Sequence, residues 1–224
     1  MIAPMKLQLA LDFPSLAEAL ALLDRVADLV DIVEAGTPLI LKEGIRAVAE
    51  IKKRYPRATV LADLKIMDAG ELEAGIGFDA GADIVTVLGA SETVTVDRAC
   101  AAARAAGSVG SAPRQVMVDL IAVPDVARRA AELAAARPDY LCCHAAYDVQ
   151  GRGGDPLADL ARLRGASAAG AFQARLAVAG GITAARVPAL LPYQPEVVVV
   201  GGAVSRAPDP RAAALAIRVA LNFS

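Results

Sequence analysis

The stretch Thr59-Val60-Leu61-Ala62-Asp63-Leu64-Lys65-Ile66-Met67-Asp68 governs the reading of this chain. A β-branched apolar run, Thr59–Ala62, leads into charges of alternating sign, Asp63, Lys65 and Asp68, and then Ala69-Gly70. A strand that buries both faces ends in such a cluster only where that end is open to solvent. Burial of both faces belongs to a parallel sheet covered by helices. An ammonium set among carboxylates also fixes a strong local field, the means to move protons and stabilise anions.

Outward from this stretch the same grammar repeats. Short β-rich runs fall at Lys6–Leu11, Asp31–Glu34, Asp83–Val87, Gln115–Leu120, Tyr140–Cys143, Ala174–Ala179 and Val197–Val200. Between them lie stretches with helical spacing: Ser15–Leu29, Gly44–Arg54, Val94–Ala106, Val123–Ala136 and Ala184–Leu191, with Pro210–Leu221 as the last helix. Ser15 with Glu18 has the spacing of a capping box. Gly81 has the place of a C-terminal glycine. Gly107–Arg114, rich in Gly, Ser and Pro, reads as a longer surface connection. Eight strand–helix units in 224 residues fit a (β/α)8 TIM barrel within the α/β class, as one domain over residues 1–224. Periodicity alone does not close a barrel, so a doubly wound open sheet is the alternative.

Composition removes several function classes. The formal charge is −2, from 23 basic and 25 acidic residues, which gives no cationic surface for nucleic acid or an anionic membrane. Trp is absent and aromatic residues make up 4%, so platforms for stacking bases are lacking. No apolar stretch reaches spanning length before Asp, Arg, Gly or Pro interrupts it. The N-terminus meets Asp12 too soon for a secretory signal. The three cysteines, Cys100, Cys142 and Cys143, are odd in number with two adjacent, which suits buried thiols in a reducing cytoplasm better than a disulfide framework.

In a parallel barrel the C-terminal strand ends converge on one mouth. There the runs give Asp12, Glu34, Asp63 with Lys65 and Asp68, Asp119, and His144 with Asp148. A carboxylate near a strand end also serves as a turn residue or helix cap, which is enough for Asp148. It does not account for Glu34 and Asp63, each after an apolar run. Lys65 on a surface helix would be a plain ion-pair partner; beyond a buried strand it reads as functional. His144, the chain's one histidine, is the candidate acid/base, with a hydrogen-bonded core histidine as the alternative. Glu34 and Asp63, from neighbouring strands, offer two oxygens to a hard cation such as Mg²⁺. Gly180-Gly181 and Gly201-Gly202 follow the seventh and eighth runs, where barrel enzymes often hold a phosphate on main-chain amides. A Gly-Gly pair is also an ordinary turn; two of them in these units make the phosphate signal.

These residues resemble the orotidine 5′-phosphate decarboxylase suprafamily, whose signature Asp-x-Lys-x-x-Asp is matched by Asp63, Lys65 and Asp68. The resemblance runs nearly end to end and is strongest in Leu7–Asp12, Val33–Pro38, Leu61–Asp68, Val118–Ile121 and His144–Gln150, continued by Gly153 and Pro156-Leu157. Orotidine phosphate decarboxylases typically carry a lysine after the second strand, need no metal and grip phosphate with an arginine. This chain has Glu34 and Ala203 at those places. The 3-keto-L-gulonate 6-phosphate decarboxylases share the metal-binding Glu and Asp. They usually have an arginine where Tyr147 stands, Gly-Arg where Gly202-Ala203 stands, and Glu where Asp119 stands. These departures point to the suprafamily's aldolase branch, although Ala145-Ala146 replaces that branch's common Thr-Gly.

What the resemblance implies is an aldehyde-lyase. It would add formaldehyde to D-ribulose 5-phosphate, giving D-arabino-hex-3-ulose 6-phosphate, with Mg²⁺ (or Mn²⁺) on Glu34 and Asp63. His144 would be the base at C1, Lys65 a fixed positive charge or proton donor at the oxyanion, and Asp12 and Asp119 orienting groups. Asp68 would reach into a neighbouring subunit's site, making a homodimer, and the four glycines would hold phosphate. The competing readings are the decarboxylase activity and a non-catalytic phosphosugar sensor or scaffold.

Overall fold

The computed structural model describes residues 5–109, 112–150 and 153–222. Its eight barrel strands are β1 (Lys6–Leu11), β2 (Ile32–Ala35), β3 (Thr59–Ile66), β4 (Ile84–Leu88), β5 (Gln115–Asp119), β6 (Tyr140–His144), β7 (Arg175–Ala179) and β8 (Val197–Val200). Each pairs in parallel with its neighbours in chain order. The sheet closes where Lys6 stands opposite Val197 and Leu9 opposite Val200. That last pairing decides between the two expected folds: the chain is a (β/α)8 barrel.

Helices Leu16–Val26, Arg46–Arg54, Gly70–Asp79, Thr93–Ala105, Val126–Glu132, Leu157–Ala168 and Pro210–Asn222 wrap the outside. Ala184–Tyr193 is a 3₁₀ stretch, with Pro188 and Pro192 inside it, residues that lack the amide an α-helix needs. Strand residues alternate between two cores. Leu7, Leu9, Val33, Val60 and Val85 pack outward with helix residues such as Leu23 and Ile51. Ile32, Leu61, Ile84, Met117, Tyr140 and Cys142 fill the barrel interior. Among the described residues no helix is long and apolar enough to cross a membrane.

Several local expectations are corrected. β3 runs on to Ile66, so Asp63 and Lys65 lie within the strand and not after it. The pairing with β4 continues across a register shift between Ala62 and Ile66, with Lys65 in a left-handed conformation, φ 47°. Ser15 stands at the N-cap in extended conformation, but its hydroxyl caps nothing; the Leu16 amide donates to Glu43 Oε1 at 3.2 Å. Thr37–Glu43 is a further helix with Pro38 in its first turn, the position proline tolerates best. In Gly107–Arg114 the pieces Ser108–Val109 and Ala112–Pro113 pair antiparallel, and residues 110–111 of that connection lie outside the described residues. Gly81 does follow its helix with φ 101°.

Candidate active site

The site is the upward continuation of the barrel's interior columns. Side chains alternate along a strand, so residues two apart share a face. Ile32, Leu61, Ile84, Met117 and Cys142 face inward, and Glu34, Asp63, Thr86, Asp119 and His144 lie two residues further on. An apolar interior therefore ends in a polar layer at the mouth. Glu34, Asp63, Thr86 and Asp119 are all buried, while His144 is partly open to solvent.

Hydrogen bonds lock that layer. Asp63 accepts from Thr37 Oγ1 at 2.7 Å through Oδ2 and from Thr86 Oγ1 at 2.8 Å through Oδ1. Thr86 in turn accepts the Lys65 amide at 2.9 Å, which holds the strained residue in place. The Lys65 ammonium sits 3.0 Å from Asp63 Oδ2 and 3.0 Å from Asp119 Oδ2. The same Asp119 oxygen lies 2.9 Å from His144 Nδ1, and Asp119 Oδ1 takes the Ile121 amide at 2.9 Å. Below them Gln8 donates to Glu34 Oε2 at 2.7 Å, and Gln8 Oε1 is buried without a partner. Sequence reading singled out neither Gln8, Thr37 nor Thr86. The available signal was a polar residue interrupting an apolar strand, as in Leu7-Gln8-Leu9 and Val85-Thr86-Val87.

Charge is distributed unevenly. Burial draws the Lys65 ammonium down, but the carboxylates of Asp63 and Asp119 overcome it and raise its pKa. Burial pushes Asp119 up, and the His144 hydrogen bond, with the charges of His144 and Lys65, brings it below its ordinary value. Glu34 goes the other way: burial, then the charges of Asp63 and Asp12, drive its pKa well above normal. Asp12 is raised by its surroundings and by Asp63, although solvent reaches it at the rim; Lys65, His144 and Arg206 offset part of this.

Such a donor set suits a hard divalent cation. Glu34 and Asp63 crowd negative charge that Lys65 does not neutralise, and magnesium takes one or two carboxylates while keeping water and substrate oxygens for its other positions. Among the described residues no group of three or more His, Cys, Asp or Glu is gathered as a cage, so any cation here would depend on such oxygens.

The remaining expected residues divide. Gly180 and Gly181 have φ of 102° and 66°, and a Cβ on Gly180 would strike the Ala145 main chain. A Cβ on Gly201 would stand 3.5 Å from Asp12 Oδ2, so the eighth-strand glycines border the same mouth. Asp68 is not drawn in: it is exposed, its carboxylate accepting the Ala69 amide at 2.7 Å. Asp148 is exposed on the short helix Tyr147–Gln150.

Comparison with known proteins gives relatives over nearly the whole chain. A 3-hexulose-6-phosphate synthase of Mycobacterium gastri is 45% identical over 219 residues, covering 97% of this chain and all of that protein (100%). One of Bacillus subtilis (strain 168) is 41% identical over 208 residues, 92% of this chain and 93% of its own length. The crystal structure of 3-hexulose-6-phosphate synthase from Salmonella typhimurium superposes with a TM-score of 0.91 at 43% identity, covering 98% of this chain and 99% of that one. The model of the orotidine 5′-phosphate decarboxylase / HUMPS family matches residues 5–217, and the chain belongs to that family.

Proposed function

We propose that this chain acts as a 3-hexulose-6-phosphate synthase, adding formaldehyde to D-ribulose 5-phosphate to give D-arabino-hex-3-ulose 6-phosphate, and catalysing the reverse cleavage. The observation that carries the reading is the continuous run His144–Asp119–Lys65–Asp63 at one mouth, in a chain similar over nearly its whole length to relatives of that name.

The hard step removes a C1 proton beside a ketone. With Asp119 accepting from Nδ1, the His144 ring keeps its lone pair on Nε2, the atom that takes the proton. The C1 electron pair moves into the C1–C2 bond and onto the C2 oxygen, where Lys65 supplies fixed positive charge. C1 then attacks the formaldehyde carbon, and the new alkoxide recovers the proton held by His144. Asp12 orients substrate hydroxyls, and Gly180, Gly181, Gly201 and Gly202 let main-chain amides approach the phosphate. A divalent cation on Glu34 and Asp63, Mg²⁺ or Mn²⁺, would polarise the ketone and offset charge on its oxygen.

The protein acts as a homodimer in this reading, with Asp68 entering the partner's site. Met67, Leu72, Ile76 and Val94 support it: they are exposed apolar side chains on or beside the helices that follow Asp68, with Leu72 and Ile76 one turn apart on one face. A cytoplasmic location goes with the three free, buried thiols.

The test is loss of ribulose 5-phosphate that requires both formaldehyde and Mg²⁺, with light scattering for the dimer. Faster release of carbon dioxide from 3-keto-L-gulonate 6-phosphate would reassign the chain to the decarboxylases. Binding of phosphosugar without turnover would make it a sensor.

A further inference from the structure

Arg206 follows the last short turn after β8, and its guanidinium lies across Gly202: a Cβ on that glycine would fall 2.6 Å from the guanidinium carbon. Its Nη1 donates to the Tyr147 hydroxyl at 3.0 Å, and the carbon stands 5.6 Å from the Tyr147 ring centre. Both side chains are exposed at the mouth, and Arg206 is near enough to the reaction centre for its charge to act on Asp12.

A phenol is neutral, so this contact leaves the arginine's charge uncompensated. Among the described residues Arg206 has no carboxylate partner, whereas Arg54 pairs with Asp24, Arg211 with Asp28 and Arg218 with Asp31. Arg186, beside the other glycine pair, is already committed. It pairs with Asp155 at 2.7 Å and donates to the Gly181 carbonyl at 3.3 Å. A guanidinium with one N–H engaged by a phenol keeps most of its planar fork free, the geometry that matches two phosphate oxygens.

We infer that Arg206 is the charged group that receives the phosphate monoester of the substrate, and that Tyr147 is a positioning residue that holds its fork over Gly202. The inference rests on the phosphosugar reading above and adds to it a residue outside the glycine pairs. Tyr147 stands on the loop after β6 and Arg206 on the loop after β8, so the pair also ties together two segments that border the mouth.

The experiment titrates the purified protein with inorganic phosphate, by calorimetry, and measures the KM for ribulose 5-phosphate. Arg206→Ala should weaken phosphate binding and raise KM by about 10–100-fold, the loss of a charge-assisted pair of hydrogen bonds. Its kcat should stay within about threefold, since the contact is made alike in ground and transition states. Arg206→Lys should recover part of the affinity, and Tyr147→Phe should lose about threefold in both measurements. Arg57, just before β3, lies with Lys6 and Asp83 at the far end of the barrel; Arg57→Ala removes the same charge there and should change neither. Unaltered phosphate affinity in Arg206→Ala overturns the inference, as does a loss confined to kcat or a wild-type protein that binds no phosphate. If phosphate binding depends on Arg206 and yet no formaldehyde is fixed, the synthase reading fails and this assignment stands.

Discussion

At the N-terminal ends of the strands Lys6 pairs with Glu196 at 3.0 Å, Lys52 with Asp83 at 2.7 Å, and Arg175 with Glu196 at 3.3 Å. At the C-terminal ends one lysine serves Asp63 and Asp119 together. There Glu34 and Asp12 have no cation within ion-pair distance among the described residues. The lower carboxylates are doubly employed. Asp31, Asp83 and Asp139 also accept the amides of Leu7, Val60 and Val116, fixing the start of one strand against the next. A cavity of about 470 Å³ opens at that end, and Lys6, Lys52, Asp83 and Arg175 in its lining are already engaged in ion pairs. The two ends use the same residue types. What separates a structural end from a chemical one is whether its carboxylates have cationic partners: Asp31, Asp83, Asp139 and Glu196 do, and Glu34 and Asp12 do not.

The comparison breaks first if the mouth's charges prove to be structural too. Lys65→Ala and Asp63→Ala should each lower kcat by about 10³ or more, because they remove fixed charge from the reacting oxygen. Circular dichroism and melting temperature should stay near wild type. Asp119→Asn should cost about 10²–10³ in kcat, since the amide can bind the other histidine tautomer and so leave the wrong nitrogen basic. Steady-state kinetics with both substrates checks these variants.

A third change concerns stability. Glu34 has a folded pKa above its unfolded value, so the folded state keeps a proton that the unfolded chain releases. In chelator-treated protein the Glu34 contribution to stability should therefore be fully present in acid and fall as pH rises above about 4.5, levelling once Glu34 ionises in the folded state. Glu34→Gln should flatten this fall, and added Mg²⁺ should stabilise the wild type but not the variant at neutral pH. Melting curves across pH, with and without the cation, read both effects. The smallest effect belongs to the other end: Lys52→Met should cost about 1 kcal/mol in denaturant unfolding and leave kcat unchanged.

Much of this molecule is legible in its sequence. β1 and β8 fall on the residues that the apolar runs named, and the remaining strand starts differ by no more than a residue. Asp63, Lys65, Asp119 and His144 were singled out by where they stand after β-rich runs, and the fold brings them into one hydrogen-bonded chain. Less legible was how they are held. Thr86 and Gln8 look like ordinary breaks in apolar strands, because the partner that makes each of them matter comes from a different strand. The Ser15 capping box failed for the same reason, as Glu43 from another helix takes the first helical amide, that of Leu16, while the serine hydroxyl caps nothing.

The sequence by itself determined the alternation of strand and helix, the burial of both strand faces and the kinds of group at the strand ends. Those are properties of local periodicity, and they survive without knowledge of any long-range contact. Only the tertiary structure decided that the sheet closes, that Lys65 bridges Asp63 and Asp119, and that Glu34 is left among like charges. Each of these is a distance between residues far apart in the chain, and the electrostatic energy that gives them their chemistry depends on that distance and on burial.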